Sequence, residues 1–314
     1  MKIFRNIQGA KVFTNRSTVA IGNFDGVHLG HRKVIARAKE MAESNKFGII
    51  TFEPHPRDYF LRNSKPFKLT SPARKYDMLK EAYVDFVIEL KFDKQLEKYS
   101  PEEFVARILV KHLGVKNVIV GEDFRFGYKR SGDLKKLKDL GKRYGFNAFS
   151  VELENNSDGI ISSTLIRTAL EQGKVREAKD MLGYWHSIYG EVIRGEKRGR
   201  EFGFPTANIE LKEILVPKFG VYACMIEILT GDFVGLYKGA ASIGERPTFG
   251  KNEANLEVHI FDFSYEIYGA QVAISLINFQ RPEKKFKGIE KLIKQMRLDC
   301  EMARKWLSID RPGQ

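Results

Sequence analysis

Cysteine and long apolar runs are both scarce in this sequence of 314 residues. Its two cysteines, Cys224 and Cys300, are too few for a disulfide scaffold or for a zinc site built from cysteine. No stretch approaches the roughly 20 apolar residues that span a membrane, and the beginning of the chain, MKIFRNIQGAKVF, lacks the apolar core of a signal peptide. We therefore expect a cytoplasmic protein without a membrane partner.

Acidic residues are fewer than basic ones, which leaves a formal net charge of +13. A basic protein can bind nucleic acid, and it can equally bind a small polyanion such as ATP. The basic residues are spread along segments such as 135–142 and 284–294, with no arginine block and no recognisable RNA- or DNA-binding motif. We interpret most of them as solvated helix faces and do not expect nucleic acid as the main partner.

The first half alternates strand and helix patterns from residue 18 to about residue 172. The whole chain is long enough for two domains, and its 43% of hydrophobic residues is enough to form a hydrophobic core in each. Helical segments separate the strand-like segments, which lie at 18–23, 47–52, 84–90, 116–120 and 146–152. This alternation predicts a parallel α/β sheet, whose ligands bind beyond the carboxyl ends of the strands.

The stretch VAIGNFDGVHLGH, residues 19–31, is the leading site candidate in this half. It predicts a strand, a glycine turn at 22–26 and then a helix. The start of a helix offers unpaired N–H groups to phosphate, and the imidazoles of His28 and His31 can donate hydrogen bonds to phosphate oxygens. The segment GEDFRFG, residues 121–127, follows the 116–120 strand and is expected at the same edge of the sheet.

A second anion site is indicated by the segment DGIISSTLIRTALEQG. Its serines or Thr164 can cap a helix that Gly173 closes. Ser163 and Thr164 precede Arg167 by four and three residues, so all three side chains share one helix face. The alternative is an ordinary capped helix with a surface arginine.

From Ile188 onward the pattern changes to short strands with frequent glycine. Six segments of this kind predict a small antiparallel barrel or a sandwich: YGEVIRG, ANIEL, GVYACMIEIL, YKGAASIG, NLEVHIFDF and QVAISLINFQ. A final helix at about 288–307 carries an apolar stripe that includes Ile289 and Ala303. The domain boundary is predicted near residues 183–187.

Two features of the second half could carry chemistry. The loop RGEKRGREFGFPTAN is not a Walker A sequence, yet its backbone could wrap phosphates, and the side chains of Thr206 and Asn208 would point the same way in an extended segment. With nucleotide phosphates, these two neutral oxygens form a plausible magnesium site; the alternative is a turn that leads into a strand.

Glu257 lies mid-strand in LEVHIFDF and could take a proton from a substrate hydroxyl, or could lie on the exposed face of an edge strand.

Together these motifs resemble those of the bacterial bifunctional riboflavin kinase/FMN adenylyltransferase family, also called FAD synthetase, over essentially the whole chain. GNFDGVHLGH, TFEPHP, GEDFRFG and ISSTLIR are similar to its adenylyltransferase motifs, and GREFGFPTANIEL, GVYA, ASIGERPTFG and LEVHIFDF to its kinase motifs. All eight stand in the family's order. The resemblance implies a Rossmann-like nucleotidyltransferase domain with a parallel sheet over 1–183. It also implies a riboflavin kinase domain over 184–314, a small antiparallel β-barrel with a terminal helix.

For the first half, the resemblance implies that His28 and His31 contact the ATP phosphates and stabilise the transition state of adenylyl transfer. Arg167 would join them in catalysis and, with its two hydroxyl neighbours, bind the triphosphate and the leaving pyrophosphate. The full set of phosphate-binding residues would be Gly22, Asn23, Phe24, Asp25, His28, His31, Asp123, Ser163, Thr164 and Arg167. Some relatives carry asparagine at the position of Asp123, and several carry a basic residue where this chain has Ile160.

For the second half, the resemblance implies that Thr206 and Asn208 bind Mg²⁺ together with the nucleotide. Glu257 would act as the base on the 5′-hydroxyl of the ribityl chain of riboflavin. The residues that bind ATP and flavin would be Gly199, Gly203, Pro205, Thr206, Asn208 and Arg246.

The implied chemistry has two steps. ATP phosphorylates riboflavin to FMN, and a second ATP then transfers AMP to FMN, which gives FAD and pyrophosphate. ATP is a co-substrate, and FMN and FAD are products rather than redox cofactors; the expected partners are riboflavin, FMN and ATP, and nothing in the sequence indicates an oligomer. Two alternatives stay open, an enzyme with only its kinase half active and an RNA-binding protein built on the HxGH fold.

Overall fold

The computed structural model describes residues 1–61, 65–156, 159–195, 198–211, 214–245 and 254–309. The chain divides into two compact units, a first unit of 1–65 and 72–162 and a second unit of 66–71 and 163–314. This division lies before the predicted functional boundary at 183, because the helices between 163 and 182 pack with each other and with the barrel described below. Within the described ranges, no helix combines the length and the apolar character that a membrane crossing requires.

The first unit contains a six-stranded sheet in the order β1-β4-β3-β2-β5-β6, and every neighbouring pair is parallel. The sequence patterns predicted five of these strands and missed the first. The inner strands are buried on both faces, which explains why they are nearly continuous apolar runs. The six strands are β1 (Lys2–Phe4), β2 (Thr18–Ile21), β3 (Phe47–Glu53), β4 (Phe86–Lys91), β5 (Asn117–Gly121) and β6 (Asn147–Val151).

Helices connect these strands, as the alternating pattern predicted. Ser100 and Glu103 form a reciprocal capping box before a helix of π type at Phe104–Leu113, which Gly114 ends in the left-handed conformation. A two-stranded ribbon, β7 (Asn155–Asn156) with β8 (Gly159–Ile160), completes the unit. Its α-helices are α1 (Lys11–Thr14), α2 (Leu29–Ala42), α3 (Pro56–Phe60), α4 (Pro72–Glu81), α5 (Lys94–Glu97), α6 (Pro101–Glu103) and α7 (Leu134–Tyr144).

The second unit contains a closed antiparallel barrel in the order β10-β13-β12-β11-β14-β9, so the barrel prediction is confirmed and the sandwich is excluded. All six predicted strand segments are present. They are β9 (Ser187–Ile193), β10 (Ala207–Glu210), β11 (Gly220–Ile228), β12 (Gly235–Glu245), β13 (Ala254–Ile260) and β14 (Gln271–Arg281). The helices of this unit are α8 (Ser163–Glu171), α9 (Val175–Leu182), α10 (Arg198–Glu201) and α11 (Ile289–Ile309).

The terminal helix α11 packs on the barrel through Ala303 and Leu307. Ile289, which the sequence placed on the apolar stripe, is 58% exposed, so the buried stripe begins later than predicted. Asp299 is buried instead, and both of its oxygens accept hydrogen bonds from Arg281 on β14. The contact between α11 and β14 therefore includes the Arg281–Asp299 ion pair in addition to apolar side chains.

A short segment from the first half of the chain, residues 66–71, belongs to the second unit. Phe67 and Leu69 are buried there, and Lys68 forms a parallel bridge with Ile214. The Leu69 carbonyl accepts a hydrogen bond from Nε2 of His186, at 3.2 Å. Nothing in the sequence pattern indicated this pairing, because it joins segments more than 100 residues apart.

His186 makes the second unit sensitive to acid. The side chain is 1% exposed, and its Nδ1 is buried with no hydrogen-bond partner among the described residues. Burial lowers the pKa of this imidazole to about 4, although the hydrogen bond to Leu69 opposes the shift. The unfolded chain therefore binds a proton more readily than the folded one, and the free energy of unfolding falls as pH drops from about 6.5 to about 4.

We expect His186→Gln to remove this contribution, because glutamine can still donate to Leu69 but does not titrate. The difference in unfolding free energy between wild type and variant should change by about 3 kcal/mol between pH 6.5 and pH 4. Both tryptophans of the chain, Trp185 and Trp306, lie in the second unit, so tryptophan fluorescence during urea unfolding measures this unit. His112→Gln, in the first unit, is the control, and a pH-independent difference for His186→Gln would contradict the prediction.

Candidate active sites

The turn after β2 places His28 and His31 at the start of α2. His28 is the N-cap residue of this helix, and its Nδ1 accepts a hydrogen bond from the backbone N–H of His31 at 3.3 Å. The helix therefore begins earlier than the predicted start after His31, and the second histidine lies in its first turn. The two imidazole rings are stacked, with centroids 3.6 Å apart.

The cap hydrogen bond fixes the protonation pattern of His28. Since Nδ1 is an acceptor, the neutral imidazole carries its proton on Nε2. The ring is 5% exposed, and a Cβ at Gly30 would lie 3.3 Å from its Cε1 and Nδ1, so glycine at this position gives the ring room. A donor nitrogen beside a helix N-terminus is suited to an anionic oxygen.

The residues before His28 form a tightly held turn. Phe24 is buried and has a φ of +53°, a left-handed conformation that is uncommon for a bulky residue, and its ring lies 5.1 Å from that of His31. Gly22, Asn23, Phe24 and Asp25 all belong to this turn, as the sequence predicted, and Asp25 is buried. A strained backbone that persists in a buried turn is a common feature of binding sites.

A hydrogen-bond chain from α4 holds the turn through Lys75 and Thr51, two residues that the sequence did not indicate as part of the site. Lys75, which is 8% exposed, donates from Nζ to Oγ1 of Thr51 at 3.4 Å. Oγ1 of Thr51 donates in turn to the backbone carbonyl of Asn23 at 3.2 Å. Thr51 opens the quoted motif TFEPHP, but a buried hydroxyl in an apolar strand carries no signal until its neighbours are known.

The segment of Asp123 lies at the sheet edge where the sequence placed it. Strand β5 is the parallel neighbour of β2, so the segment after Gly121 leaves the same sheet edge as the His28 turn, and Asp123 lies in that segment and is exposed. Ile160 is in β8, and its apolar side chain is 50% exposed.

In the second unit, α8 begins at Ser163 and contains Thr164 and Arg167. Arg167 is 7% exposed, so it is not the surface arginine of the alternative interpretation. Its Nε donates to the Phe67 carbonyl at 2.8 Å, and its guanidinium lies 5.0 Å from the Phe67 ring. The structure thus assigns Arg167 a contact with the 66–71 segment; its role toward phosphate stays a prediction.

The outer face of the barrel brings the kinase candidates together. Strands β10 and β13 are antiparallel neighbours, and their register places Asn208 directly opposite Glu257. Leu256 and Val258 are buried whereas Glu257 is exposed, so alternation points the carboxylate away from the barrel core. Each of β10 and β13 pairs on both sides, which removes the alternative of an exposed edge strand for Glu257.

The loop before β10 folds back toward this face. Gly199 lies in α10 and Gly203 has a φ of +82°, a conformation that favours glycine. The Phe204 N–H donates to the Gly199 carbonyl at 2.8 Å. The carbonyl of Pro205 accepts from Nδ1 of His259 at 2.9 Å, which ties the loop to β13 directly before Thr206. Arg246, the remaining predicted kinase residue, lies outside the described residues.

Asn255 connects the two candidate kinase residues, and the sequence analysis did not identify it. Its Nδ2 donates to Oδ1 of Asn208 at 3.2 Å and to Oε1 of Glu257 at 3.3 Å. The side chain is 8% exposed, and its own Oδ1 is buried without a hydrogen-bond partner in the described part of the chain. The spacing of two between Asn255 and Glu257 was the available signal, since it puts both on one face of a strand.

The residues present fit the predicted Mg²⁺. Thr206 stands directly before β10 and Asn208 lies in it, so an extended path places both side chains on one side. Hydroxyl and amide oxygens are ligands of the kind that hard divalent cations take. The buried, unsatisfied Oδ1 of Asn255 beside them adds an acceptor that a hydrated cation could satisfy. No group of three or more His, Cys, Asp or Glu residues in the described ranges is arranged to hold a metal ion.

The first and second halves of the chain match two different family models. The model described as FAD synthetase matches residues 10–165, and the model described as riboflavin kinase matches residues 182–307. The bifunctional riboflavin kinase/FMN adenylyltransferase of Haemophilus influenzae is 37% identical over 311 residues, which cover 97% of this chain and 98% of that protein. This chain belongs to the bifunctional riboflavin kinase/FMN adenylyltransferase family.

Other members of the family match over most or all of their length. The protein of the same name from Escherichia coli K12 is 36% identical, with 100% of each chain covered, and that of Bacillus subtilis is 37% identical over 93% of each chain. A crystal structure from Streptococcus pneumoniae, named as a macrolide-efflux protein, has a TM-score of 0.86 and 30% identity and covers 98% of this chain. The resemblance inferred from eight short motifs is therefore confirmed.

We expect Thr51→Val to loosen the turn of the first site, because valine keeps the shape of threonine but removes the hydroxyl between Lys75 and Asn23. A buried polar group that loses its partner costs about 1–3 kcal/mol. Amide hydrogen exchange of the peptide that spans residues 19–31 should become faster in this variant. Thr51→Ser retains the hydroxyl and should exchange nearly as slowly as wild type; equal rates in all three proteins would contradict this role for Thr51.

Proposed function

We propose that this protein phosphorylates riboflavin to FMN and then adenylylates FMN to FAD. The observation that carries the proposal is the match of both family models, at 10–165 and 182–307, within one chain whose relatives align over their full length. ATP is the co-substrate of both steps, and FMN is the product of the first and the substrate of the second. The proposal includes a cytoplasmic location and functional domains of 1–183 and 184–314.

In the kinase step, the 5′-oxygen of riboflavin attacks the γ-phosphorus of ATP, the bond to the bridging β,γ-oxygen breaks, and ADP leaves. Glu257 would accept the hydroxyl proton as the new O–P bond forms. Thr206 and Asn208 would hold Mg²⁺, which supplies positive charge to the phosphates when bound. The glycine-rich loop at 199–205 and Arg246 would bind ATP or flavin.

In the adenylyl-transfer step, a phosphate oxygen of FMN attacks the α-phosphorus of ATP, and pyrophosphate leaves. His28 would donate from Nε2 to a phosphate oxygen, while its Nδ1 holds the first turn of α2. His31 would add a second imidazole at the same helix start, where the dipole favours anions. Phosphate contacts by Gly22, Asn23, Phe24, Asp25, Asp123, Ser163, Thr164 and Arg167 belong to the same proposal.

We expect His28→Asn to separate capping from catalysis. Asparagine is a good N-cap residue, so it should accept from the His31 N–H and preserve the helix, but it lacks the Nε2 donor. Conversion of added FMN to FAD should fall by roughly 10²-fold or more, as it should for His31→Ala, while FMN formation from riboflavin stays at the wild-type rate. Chromatography of the flavins measures both rates, and wild-type FAD formation by His28→Asn would contradict the assignment.

We expect Glu257→Gln to abolish most FMN formation, because glutamine keeps the size of glutamate but cannot accept the proton. The loss should be roughly 10²- to 10⁴-fold, and the variant should still convert added FMN to FAD. If the wild-type protein accumulates FMN without FAD, only its kinase half is active. Wild-type protein that leaves riboflavin unchanged would refute the proposed function.

A further inference from the structure

We infer that Asn255 is a positioning residue of the kinase site, which holds the side chains of Asn208 and Glu257 in place by donating one hydrogen bond to each. The inference rests on the proposed function of those two residues. One carboxamide nitrogen has two N–H groups, and here each has its own oxygen acceptor, at 3.2 and 3.3 Å. The predicted metal ligand and the predicted base are thus kept within two hydrogen-bond lengths of each other.

The burial of Asn255 argues against a merely structural role. Its neighbours on the same strand face, Glu257 and His259, are more accessible, while Asn255 is 8% exposed. Asparagine is disfavoured in strands, and its buried Oδ1 lacks a partner among the described residues, which costs stability. An apolar side chain would avoid this cost, so the amide is explained by what its nitrogen does for the two oxygens.

The two hydrogen bonds have different consequences. The bond to Asn208 uses one lone pair of Oδ1 and fixes the direction of the other, which would leave that lone pair available to a cation. The bond to Glu257 holds Oε1 in place, which fixes the direction from which the carboxylate can accept a proton. Removing the amide should therefore loosen both the metal ligand and the base.

The test compares Asn255→Leu and Asn255→Asp in the full-length protein. Leucine has a similar size and no donor, and we expect kcat for riboflavin phosphorylation to fall roughly 10- to 100-fold, with a smaller change in the KM for riboflavin. Aspartate keeps the shape but has no N–H to donate, so kcat should fall at least as far as in Asn255→Leu. The Mg²⁺ concentration for half-maximal rate should rise in Asn255→Leu.

Two controls separate this effect from misfolding. Asn278→Leu makes the same replacement on β14, on the opposite side of the barrel, where the amide donates to the Phe279 carbonyl; it should leave kcat and the Mg²⁺ requirement unchanged. Tryptophan fluorescence checks the fold, and stabilisation of the second unit by ADP with Mg²⁺ should be smaller in Asn255→Leu than in wild type without any turnover.

The outcomes distinguish the inference from the function on which it rests. If Glu257→Gln abolishes FMN formation but both Asn255 variants keep the wild-type kcat and Mg²⁺ requirement, the inference is overturned and the proposed function stands. If Glu257→Gln forms FMN normally, the proposed role of Glu257 fails first. If Asn255→Leu does not fold, Asn255→Asp decides: a wild-type kcat in that variant overturns the inference.

Discussion

Strand register is the constraint on which both candidate sites depend. On the barrel, the pairing of Asn208 with Glu257 exists only because β10 and β13 meet in one register, and a slip of one residue would turn one of these side chains into the core. In the first unit, β2 and β5 are adjacent and parallel, which brings the histidine turn and the segment of Asp123 to one sheet edge. The backbone pairing of the strands therefore determines which candidate residues lie close together in each site.

Much of the fold could be predicted because its signals are local. Alternating apolar residues located all six barrel strands, and the alternation of strand and helix patterns predicted five of the six strands of the parallel sheet. Barrel and sandwich could not be distinguished, since closure depends on which distant strands pair. The 66–71 segment was missed for the same reason: its contacts with Ile214 and His186 lie more than 100 residues away.

The candidate sites show the same division between local and distant information. His28, His31, Asn208 and Glu257 could be named from spacing and motifs, but the network around them could not. Thr51 and Asn255 are ordinary strand residues in the sequence, and their importance comes from partners on other elements or, for Asn255, across the strand pair. The sequence left two interpretations of Arg167 open, because a helix pattern permits a surface arginine, whereas the folded chain buries it against Phe67.

Both sites combine a rigid backbone with buried polar atoms that are costly unless satisfied. In the first site, the Thr51 hydroxyl donates a hydrogen bond to the Asn23 carbonyl. The cap hydrogen bond to Nδ1 of His28 leaves Nε2 of that imidazole as the donor. In the second site, the amide nitrogen of Asn255 donates one hydrogen bond to Asn208 and one to Glu257. In each case a neutral hydroxyl, imidazole or amide makes the hydrogen bond that orients the neighbouring group. An enzyme of phosphate transfer benefits from this arrangement, because preorganised dipoles stabilise developing charge without reorganising during the reaction.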